Sequence, residues 1–476
     1  MKKTQLIKHL LLFVFISISL NNFSQKNMSD SGQHNTEKKA NQKMNVFASI
    51  CEDQKSLDNS VTFSKKNIDD NKELDEANSL VSNTNIDSFE IKNSEAEKKI
   101  NLIGAYGDWA SISNKNKLPT YSFRREEWTD VESWKKVAKE KVLERIAMPD
   151  IGGVPKVTIH KEYYYDGLKI EEISWSLPYG NQAEAIVLKP ANATEPLPGI
   201  LAFHHHGADK YFGRRKITQT SNSQHPHVED SQNEYYDGFA WANEIAKRGY
   251  VVLVHDAFPF ASRRVMLQDV PEHLRHGLDD NNPEDIENVE SYNDWAAKHE
   301  DIMAKSLFCA GTTWPGIWIA EDLAALDVLC SRKDVDATKI GCGGLSGGGM
   351  RTVFIGGLDS RIKCSVCVGL MTTWEDFMLN KSYTHTWMSF VPLLPNELDF
   401  PEILAMNVPS PVLVLNAEHD ALFTLDGMKR ADEILKEVYQ KANATNNYKG
   451  SFYPGGHRFS REMQLEAFEW FDKWLK

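Results

Sequence analysis

Residues 339–351 read KIGCGGLSGGGMR, a short apolar strand that runs into glycines around a single serine, Ser346. The segment GLSGG fits the pattern G-x-S-x-G, in which a strand turns sharply into a helix and holds the serine hydroxyl clear of the sheet. Side chains at the flanking glycines would collide with the neighbouring strand or helix, which is a steric reason for glycine there. The pattern predicts a nucleophilic serine, and a glycine-rich connection without chemistry is the alternative. An acid, a base and an oxyanion pocket in the right order would decide between the two.

The composition is that of a large globular protein with an acidic surface. The chain has 476 residues, of which 41% are hydrophobic and 10% aromatic, and its formal net charge is −13. That length allows two or three average domains or one enlarged α/β domain. No long basic run is present to neutralise phosphates, so we expect no nucleic-acid partner.

The N-terminal residues have the pattern of an export signal. A basic start precedes an almost unbroken apolar run at 10–20, which has signal-peptide length and is too short to span a membrane comfortably. We therefore expect residues 1–25 to be a signal peptide, the protein to be secreted or periplasmic, and no stable membrane insertion after cleavage. An uncleaved membrane anchor is the alternative, because residues 21–25 lack a clear small-x-small cleavage pattern. Residues 26–100 are polar without a sustained apolar period, which predicts a disordered linker.

The remaining chain divides into a helical extension and a catalytic-sized domain. Residues 101–150 are predicted to form an N-terminal helical extension, in which Asp130 caps a helix that continues to about Ile146. Residues 151–476 begin with β-rich segments separated by turn residues, which indicates antiparallel strands and a hairpin.

The domain then changes to an alternation of strands and helices. Continuous apolar runs at 199–203 and 249–254 flank a helical pattern at 236–248, as expected for parallel strands buried on both faces. The same rhythm continues to the end of the chain. The sequence therefore predicts an α/β fold with a doubly wound, mostly parallel sheet and antiparallel strands at its start.

The acid and the base are expected after the nucleophile, in the chain order serine, acid, histidine. The strand at 411–416 leads into a loop with carboxylates, and Asp420 is our candidate acid. Glu418 and Asp426 are alternative acids, and a helix cap is the alternative role for Asp420. His457 follows two glycines after the next strand and is the candidate base.

Histidines elsewhere provide the main alternatives for the base and for a metal site. His419 competes with His457, but it stands beside the acid and before the last strand. Three successive histidines at 204–206 suggest metal ligands. Successive strand side chains alternate faces, however, and no acidic or histidine partner at helical spacing completes a ligand set, so we expect no metal.

A tetrahedral intermediate needs two backbone N–H donors. The residue after the serine, Gly347, is expected to provide one of them. The loop after the strand that ends in Phe203 is expected to provide the other, from Gly207 or Ala208.

Two long stretches, at 208–234 and 257–315, are predicted to be irregular and to form walls of a cleft at the carboxyl ends of the strands. Trp314 and Trp374 lie at that end and could stack on a sugar. Arg351 follows the nucleophile by five residues and could hold a carboxylate through its planar guanidinium. Core packing for the tryptophans and a salt bridge for Arg351 are the alternatives.

The chain has six cysteines, and their pairing cannot be read from the sequence. Cys364 and Cys367 have C-x-x-C spacing within an apolar strand. Their thiols should point to opposite faces of the sheet, which favours packing over redox or metal chemistry.

Residues 199–476 resemble the dienelactone hydrolase and acetylxylan-esterase-like branch of the α/β-hydrolases. The resemblance rests on HHG at 205–207, GLSGG around Ser346, Asp420, and GH ending at His457. It implies Ser346 as the nucleophile, Asp420 as the acid, His457 as the base, and acyl transfer without a cofactor.

The chain departs from the family in two places. The dienelactone hydrolases proper have a cysteine where Ser346 stands, and acetylxylan esterases of the cephalosporin-deacetylase type usually have Arg-Gly-Gln where this chain has HDAFP at 255–259. The resulting prediction is a serine esterase that hydrolyses acetyl or methyl esters on polysaccharides or oligosaccharides. A serine peptidase of the same fold and a non-catalytic carbohydrate-binding protein on a hydrolase scaffold are the alternatives.

Overall fold

The computed structural model describes residues 100–115, 118–281 and 284–476. These residues fall within one unit that extends over Glu95–Lys476. The predicted signal peptide and nearly all of the predicted linker lie outside the described residues, so both stay predictions. No helix in the described ranges is long and apolar enough to cross a lipid bilayer.

A nine-stranded sheet with the order β1-β2-β3-β5-β4-β6-β7-β8-β9 organises the described part of the chain. Pairing is antiparallel from β1 to β5 along this order and parallel from there to β9. This is the predicted mostly parallel sheet with an antiparallel start. The strands are β1 Thr158–Tyr165, β2 Leu168–Trp175, β3 Ala183–Pro190, β4 Leu197–Phe203, β5 Val251–His255, β6 Val335–Leu345, β7 Ile362–Val368, β8 Val412–Ala417 and β9 Tyr448–Tyr453.

Helices cover both faces of the sheet and account for the uninterrupted apolar strands. All residues of β5 and of β8 are buried, as expected for parallel strands between helical layers. The α-helices are α1 Gly107–Lys115, α2 Val131–Ile146, α3 Pro226–Tyr236, α4 Trp241–Lys247, α5 Ile286–Cys309, α6 Trp314–Cys330, α7 Gly347–Leu358, α8 Trp374–Asp376, α9 Phe400–Ala405, α10 Leu425–Lys441 and α11 Arg461–Leu475.

A two-residue turn joins β1 to β2. Tyr165 pairs with Leu168, and the residues between them, Asp166 and Gly167, have φ of 51° and 77°. Positive φ at both central residues defines the hairpin turn that Asp-Gly favours, because its twist matches that of the flanking strands. The predicted hairpin is confirmed.

Separate hydrophobic cores lie on the two faces of the sheet, and two cysteines of one strand belong to different cores. Cys367 belongs to the core that includes α2, α6 and α9, whereas Cys364 belongs to the core that includes α4 and α11. The predicted packing of the two thiols on opposite faces is confirmed. The described cysteines are unpaired, and Cys342, Cys364 and Cys367 are buried while Cys309 is exposed.

The helix predicted at 236–248 is wrong in its extent. The structure has α3 and α4 instead, because Asp237 and Gly238, with φ of 53° and 81°, place left-handed backbone between them. Much of the stretch predicted as irregular is therefore helical. A proline at the first helical position starts α3, which is a recognised start signal that the prediction missed.

The second stretch predicted as irregular, 257–315, contains the 24-residue helix α5. Asp285 caps this helix by accepting a hydrogen bond from Glu287 N–H at 3.0 Å. Its buried residues Val289, Tyr292 and Ala296 recur at helical spacing and pack into a third hydrophobic cluster with Tyr211. The periodicity was present in the sequence, but polar residues between the apolar positions obscured it.

Helix α2, which lies in the segment predicted to be an N-terminal helical extension, packs against the start of α6. Asp130 caps α2 by accepting a hydrogen bond from Ser133 N–H at 2.7 Å. At the other end of the helix, Thr313 Oγ1 donates to Ile146 O at 2.6 Å. A Cβ added at Gly316 would come within 2.2 Å of the same oxygen, so the close approach of α2 to the start of α6 needs a glycine there.

Candidate active site

Ser346 occupies the junction between β6 and α7. Its backbone has φ 58° and ψ −118°, a conformation that a residue with a side chain rarely adopts. Its N–H donates to Val368 O and its carbonyl accepts from Met350 N–H, both at 2.9 Å. The strand and the helix thus fix the serine at the carboxyl end of the sheet, in the geometry of a nucleophile elbow.

Two glycines around the serine allow the elbow to pack against β4. A Cβ at Gly344 or at Gly348 would lie 2.5 Å from Phe203 O, which is far shorter than any real contact of that kind. The sequence expectation of a steric reason for glycine on both sides of Ser346 is confirmed.

His457 and Asp420 form a hydrogen-bonded pair at the ends of neighbouring strands. His457 Nδ1 lies 2.6 Å from Asp420 Oδ2, and the carboxylate is almost fully buried. Asp420 Oδ1 also accepts from Leu422 N–H at 2.9 Å, so backbone and imidazole together orient the acid. Because a carboxylate only accepts, the pair puts the proton on Nδ1 and leaves Nε2 with a free lone pair.

The imidazole of His457 lies over the backbone next to the elbow. A Cβ at Gly369 would lie 3.2 Å from His457 Cε1 and 3.3 Å from Nδ1. Gly369 directly follows Val368, whose carbonyl binds Ser346 N–H. Ser346, Asp420 and His457 therefore follow β6, β8 and β9 at the same edge of the sheet, with Val368 bound to the serine backbone and Gly369 against the imidazole.

The alternative acids and base lie elsewhere. Glu418, His419 and Asp426 are all exposed on the loop and helix after β8. Asp420 alone of the three predicted acids is buried against an imidazole. Burial of an acid behind the base matches what orientation of the imidazole requires.

Aromatic rings from α3 line one side of the histidine. The Tyr235 ring is perpendicular to the His457 ring at 6.4 Å between centroids, and it contacts the His205 ring at 4.5 Å. His205 Nδ1 in turn hydrogen-bonds Tyr236 OH at 2.7 Å. Sequence reasoning singled out neither tyrosine, because they stand at the boundary between the stretch predicted to be irregular and the predicted helix.

The loop after β4 reaches the elbow. The N of His206 lies 3.0 Å from the position that a Cβ of Gly347 would take, so this amide borders the residue predicted as the first oxyanion donor. Of the two candidates for the second donor, Ala208 already gives its N–H to His206 Nδ1 at 3.0 Å. Gly207 N–H meets no acceptor among the described residues.

The three histidines at 204–206 each bind a different protein partner. His204 Nε2 accepts from Ala257 N–H at 3.2 Å, His205 binds Tyr236, and His206 Nε2 lies 2.7 Å from Glu300 Oε1. Burial, followed by the charge of Lys210, lowers the pKa of His206 to about 4. In the described ranges, no group of three or more histidine, cysteine or carboxylate side chains is arranged to hold a metal ion.

The three residues predicted to contact substrate lie in the interior. Trp314 and Trp374 are 2% and 6% exposed and belong to the main core. Arg351 is fully buried, with its guanidinium on Asp322 and over the Phe203 ring at 4.3 Å. The structure does not bring these three side chains to the nucleophile, and the alternatives weighed from the sequence, core packing and a salt bridge, describe their contacts.

His385, on the segment after α8, is a polar group that sequence reasoning did not single out. Its Nδ1 lies 2.9 Å from Thr384 Oγ1, whereas its Nε2 is buried and has no hydrogen-bond partner among the described residues. The ring packs on Phe423, three residues after the acid, at 4.9 Å between centroids. Burial is the main cause that lowers the pKa of His385 to about 4, so the ring is neutral at pH 7.

Comparison with known proteins finds one curated protein that is similar in sequence. No protein-family profile matches the chain. YtaP of Bacillus subtilis (strain 168), which is assigned by name to the hydrolases, is 25% identical over 331 residues, covering 69% of this chain and 95% of YtaP.

Solved structures share the fold at low sequence identity. A Bacteroides fragilis NCTC 9343 protein assigned as an acetyl xylan esterase has a TM-score of 0.54 at 18% identity, covering 74% of this chain and 83% of its own. A glucuronoyl esterase from Solibacter usitatus and a promiscuous CE15 esterase from a marine bacterial metagenome each have a TM-score of 0.50, at 15% and 14% identity, covering 75% of this chain and 97% of theirs.

The sheet order, the elbow at Ser346 and these similarities show that the chain has the α/β-hydrolase fold. The predicted fold class is confirmed. The solved structures that share it include a protein named as an acetyl xylan esterase, the type that the resemblance in sequence implied, and a CE15 esterase, which it did not name.

Proposed function

We propose that the protein is a serine esterase that hydrolyses carboxylic esters through Ser346, His457 and Asp420. The observation that carries the proposal is the hydrogen-bonded Asp420–His457 pair beside a serine held on a nucleophile elbow. An activated serine needs a base, and the base needs a third group that orients it. The three side chains match this requirement in type and in chain order, and the contacts of Ser346 with Val368 and of His457 with Gly369 support their proximity.

The reaction would follow the usual two steps of acyl transfer. Ser346 Oγ attacks the ester carbonyl while His457 Nε2 takes the hydroxyl proton, and the proton then passes to the leaving alkoxide as the C–O bond breaks. Water attacks the acyl-enzyme with the same histidine as base, which releases the carboxylic acid and regenerates the serine. Asp420 stabilises the charged imidazole, and Gly347 N–H with an N–H of the 206–208 loop stabilises the oxyanion.

The substrate class we propose is an ester on a carbohydrate, with an acetyl or methyl ester as the cleaved group. The support is the shared fold with proteins named as acetyl xylan and glucuronoyl esterases. We also infer a secreted or periplasmic location from the N-terminal sequence.

Three reagents test the reaction class. Purified protein should hydrolyse p-nitrophenyl acetate, should leave an aminoacyl anilide intact, and should react with a fluorophosphonate probe. The Ser346→Ala variant should lose both hydrolysis and labelling. Cleavage of the anilide would indicate a peptidase, and a wild-type protein inert to all three would indicate a binding protein on a hydrolase scaffold.

A second comparison tests the substrate. Acetylated xylan and methyl-esterified pectin should be incubated separately with wild type and with Ser346→Ala, and the released acetate and methanol measured. Release of either product by wild type alone supports the carbohydrate assignment and identifies the ester. Activity on p-nitrophenyl acetate with no release from either polymer would argue against these polysaccharide esters.

A further inference from the structure

Lys216 is a fully buried lysine that carries no carboxylate partner. It lies in the short 3₁₀ segment Arg214–Ile217, beyond the loop that follows β4, and its side chain is 0% exposed. Among the described residues, no carboxylate lies within ion-pair distance of its ammonium. A buried charge normally needs such a partner, so its local contacts require an explanation.

Backbone carbonyls of the β4 loop surround the ammonium. Lys216 Nζ donates to His206 O at 2.9 Å and to Asp209 O, and it lies 3.5 Å from His205 O. The charge also lies 4.8 Å from the centroid of the Phe260 ring. Three carbonyl oxygens and one aromatic face therefore solvate the cation in place of water.

The direction of these carbonyls fixes the direction of the N–H groups in the same peptide units. The C=O and N–H of one trans peptide unit point in opposite directions. His205 O shares its unit with His206 N–H, and His206 O shares its unit with Gly207 N–H. With both oxygens turned to Lys216, both N–H groups point away from it, and His206 N lies against Gly347 beside the nucleophile.

We propose that Lys216 is a positioning residue. Its ammonium holds the carbonyl of His206 and, together with His204 Nδ1 at 3.0 Å from His205 O, that of His205, and it thereby aims the N–H groups of His206 and Gly207 at the oxyanion formed on Ser346. The inference rests on the proposed esterase function and deepens it. It also favours Gly207 over Ala208 as the second donor, because Ala208 N–H is already bound to His206 Nδ1.

Burial makes the hydrogen bonds from the Lys216 ammonium to these carbonyls dependent on pH. Burial, opposed by the carboxylates of Asp209 and Asp256, lowers the pKa of Lys216 to about 8 from its ordinary value of 10.5. Asp256 is itself paired with Arg214. The other titratable groups that face Lys216 are Lys210, His204, His205 and His206.

Loss of the proton should weaken catalysis without unfolding the protein. Above about pH 8 the native amine is neutral and donates weaker hydrogen bonds to the carbonyls. Between that pH and 10.5 the unfolded chain binds more protons than the native chain at this group, so the contribution of Lys216 to stability rises with pH. Activity and stability should thus change in opposite directions.

The test compares Lys216→Met with a matched lysine elsewhere. Lys441 donates to Phe123 O and Arg125 O, both at 2.6 Å, and lies 4.7 Å from the Phe123 ring, and none of these contacts involves the β4 loop. On p-nitrophenyl acetate, Lys216→Met should lower kcat by about 10²-fold, with KM within about twofold, because a misplaced donor acts mainly on the transition state. Lys441→Met should keep the wild-type kcat.

The pH profile separates positioning from a merely structural role. Wild-type and Lys441→Met kcat should fall above about pH 8, and the low kcat of Lys216→Met should lack that fall. If Lys216→Met is recovered unfolded, Lys216→Gln replaces it, because the amide donates a hydrogen bond without carrying a charge. The kcat of this variant should also lack the fall above about pH 8, which is the basic limb of the profile.

Two outcomes overturn different parts of the argument. A folded Lys216 variant with wild-type kcat and a wild-type basic limb overturns the positioning role while leaving the esterase intact. A wild type that neither hydrolyses p-nitrophenyl acetate nor reacts with the fluorophosphonate overturns the proposed function itself.

Discussion

His457 Nδ1 lies 2.6 Å from Asp420 Oδ2, although the two residues are 37 positions apart in the chain. The contact fixes the tautomer of the imidazole and prevents the ring from rotating away from the elbow. Asp420 is therefore expected to act through His457, with no direct contact to substrate.

Asp420→Asn should lower kcat on p-nitrophenyl acetate by about 10³–10⁴-fold, because an amide favours the wrong tautomer of the histidine. The fold should be retained, since Asn has nearly the same shape. Glu418→Gln is the matched control, because Glu418 is exposed two residues earlier, and it should keep wild-type activity. Steady-state kinetics of the two variants check this, and equal activities would contradict the assignment of the acid.

Gly348→Ala should reduce the free energy of unfolding by about 1–3 kcal/mol or more, because its Cβ would lie 2.5 Å from Phe203 O and the elbow cannot move away from β4. Gly153→Ala is the control, since a Cβ there meets nothing within 4 Å. It should leave stability unchanged within about 0.5 kcal/mol. Urea denaturation of both variants gives the comparison, and similar midpoints would show that the elbow tolerates the extra atom.

Arg351→Met should destabilise the protein by about 3–5 kcal/mol, because it removes the guanidinium from the buried Asp322 and leaves only the His255 imidazole, at 2.8 Å, beside that charge. Both side chains are fully buried, and Arg351 Nε lies 3.0 Å from each carboxylate oxygen. Removing Asp322 as well should cost less than the sum of the single changes, since no lone charge then remains. The half-exposed Arg430 provides a control in Arg430→Met, expected within about 0.5 kcal/mol of wild type.

Asp399 should make stability fall as pH rises through the weakly acidic range. Burial, followed by the charge of Glu402, raises the pKa of Asp399 to about 6 from 3.8. Between these values the native protein binds more protons at this group than the unfolded chain, so its contribution to the free energy of unfolding decreases with pH. Asp399→Asn should remove that slope while keeping the acceptor that caps α9.

Denaturation of wild type and Asp399→Asn at pH 4.5 and 6.5 gives the change in free energy of unfolding with pH for each protein. The contribution of Asp399 is the difference between these two changes. Asp285→Asn, which changes the exposed cap of α5 in the same way, controls for loss of a cap charge. Parallel pH dependence in wild type and Asp399→Asn would mean that this carboxyl does not titrate in that range.

The alternation of strands and helices and the elbow were predictable because each has a local cause. Apolar runs such as 199–203 and 249–254 must be buried on both faces, and the glycines around Ser346 mark the turn between β6 and α7. The pairing of Asp420 with His457 followed from chain order and from the loops after two adjacent strands. Glu418 is exposed and Asp420 is buried because their side chains point in different directions from the same loop. The local sequence does not specify these directions.

The rest of the site depended on distant contacts. Trp314, Trp374 and Arg351 stand at the predicted cleft end of the fold, but the helices around them close over their side chains. Lys216 stands in the basic run GRRKI, which in sequence indicates a solvated surface. Only the folded β4 loop shows that its ammonium is enclosed by carbonyls.

The unpaired thiols on the two faces of the sheet can show when the helical layers separate from the sheet. A thiol reagent added to native protein should modify Cys309 at once, whereas Cys342, Cys364 and Cys367 become reactive only when the layers separate. Since Cys364 and Cys367 sit three residues apart on the same strand but beneath different helices, the order in which they are labelled reveals which side of the sheet uncovers first.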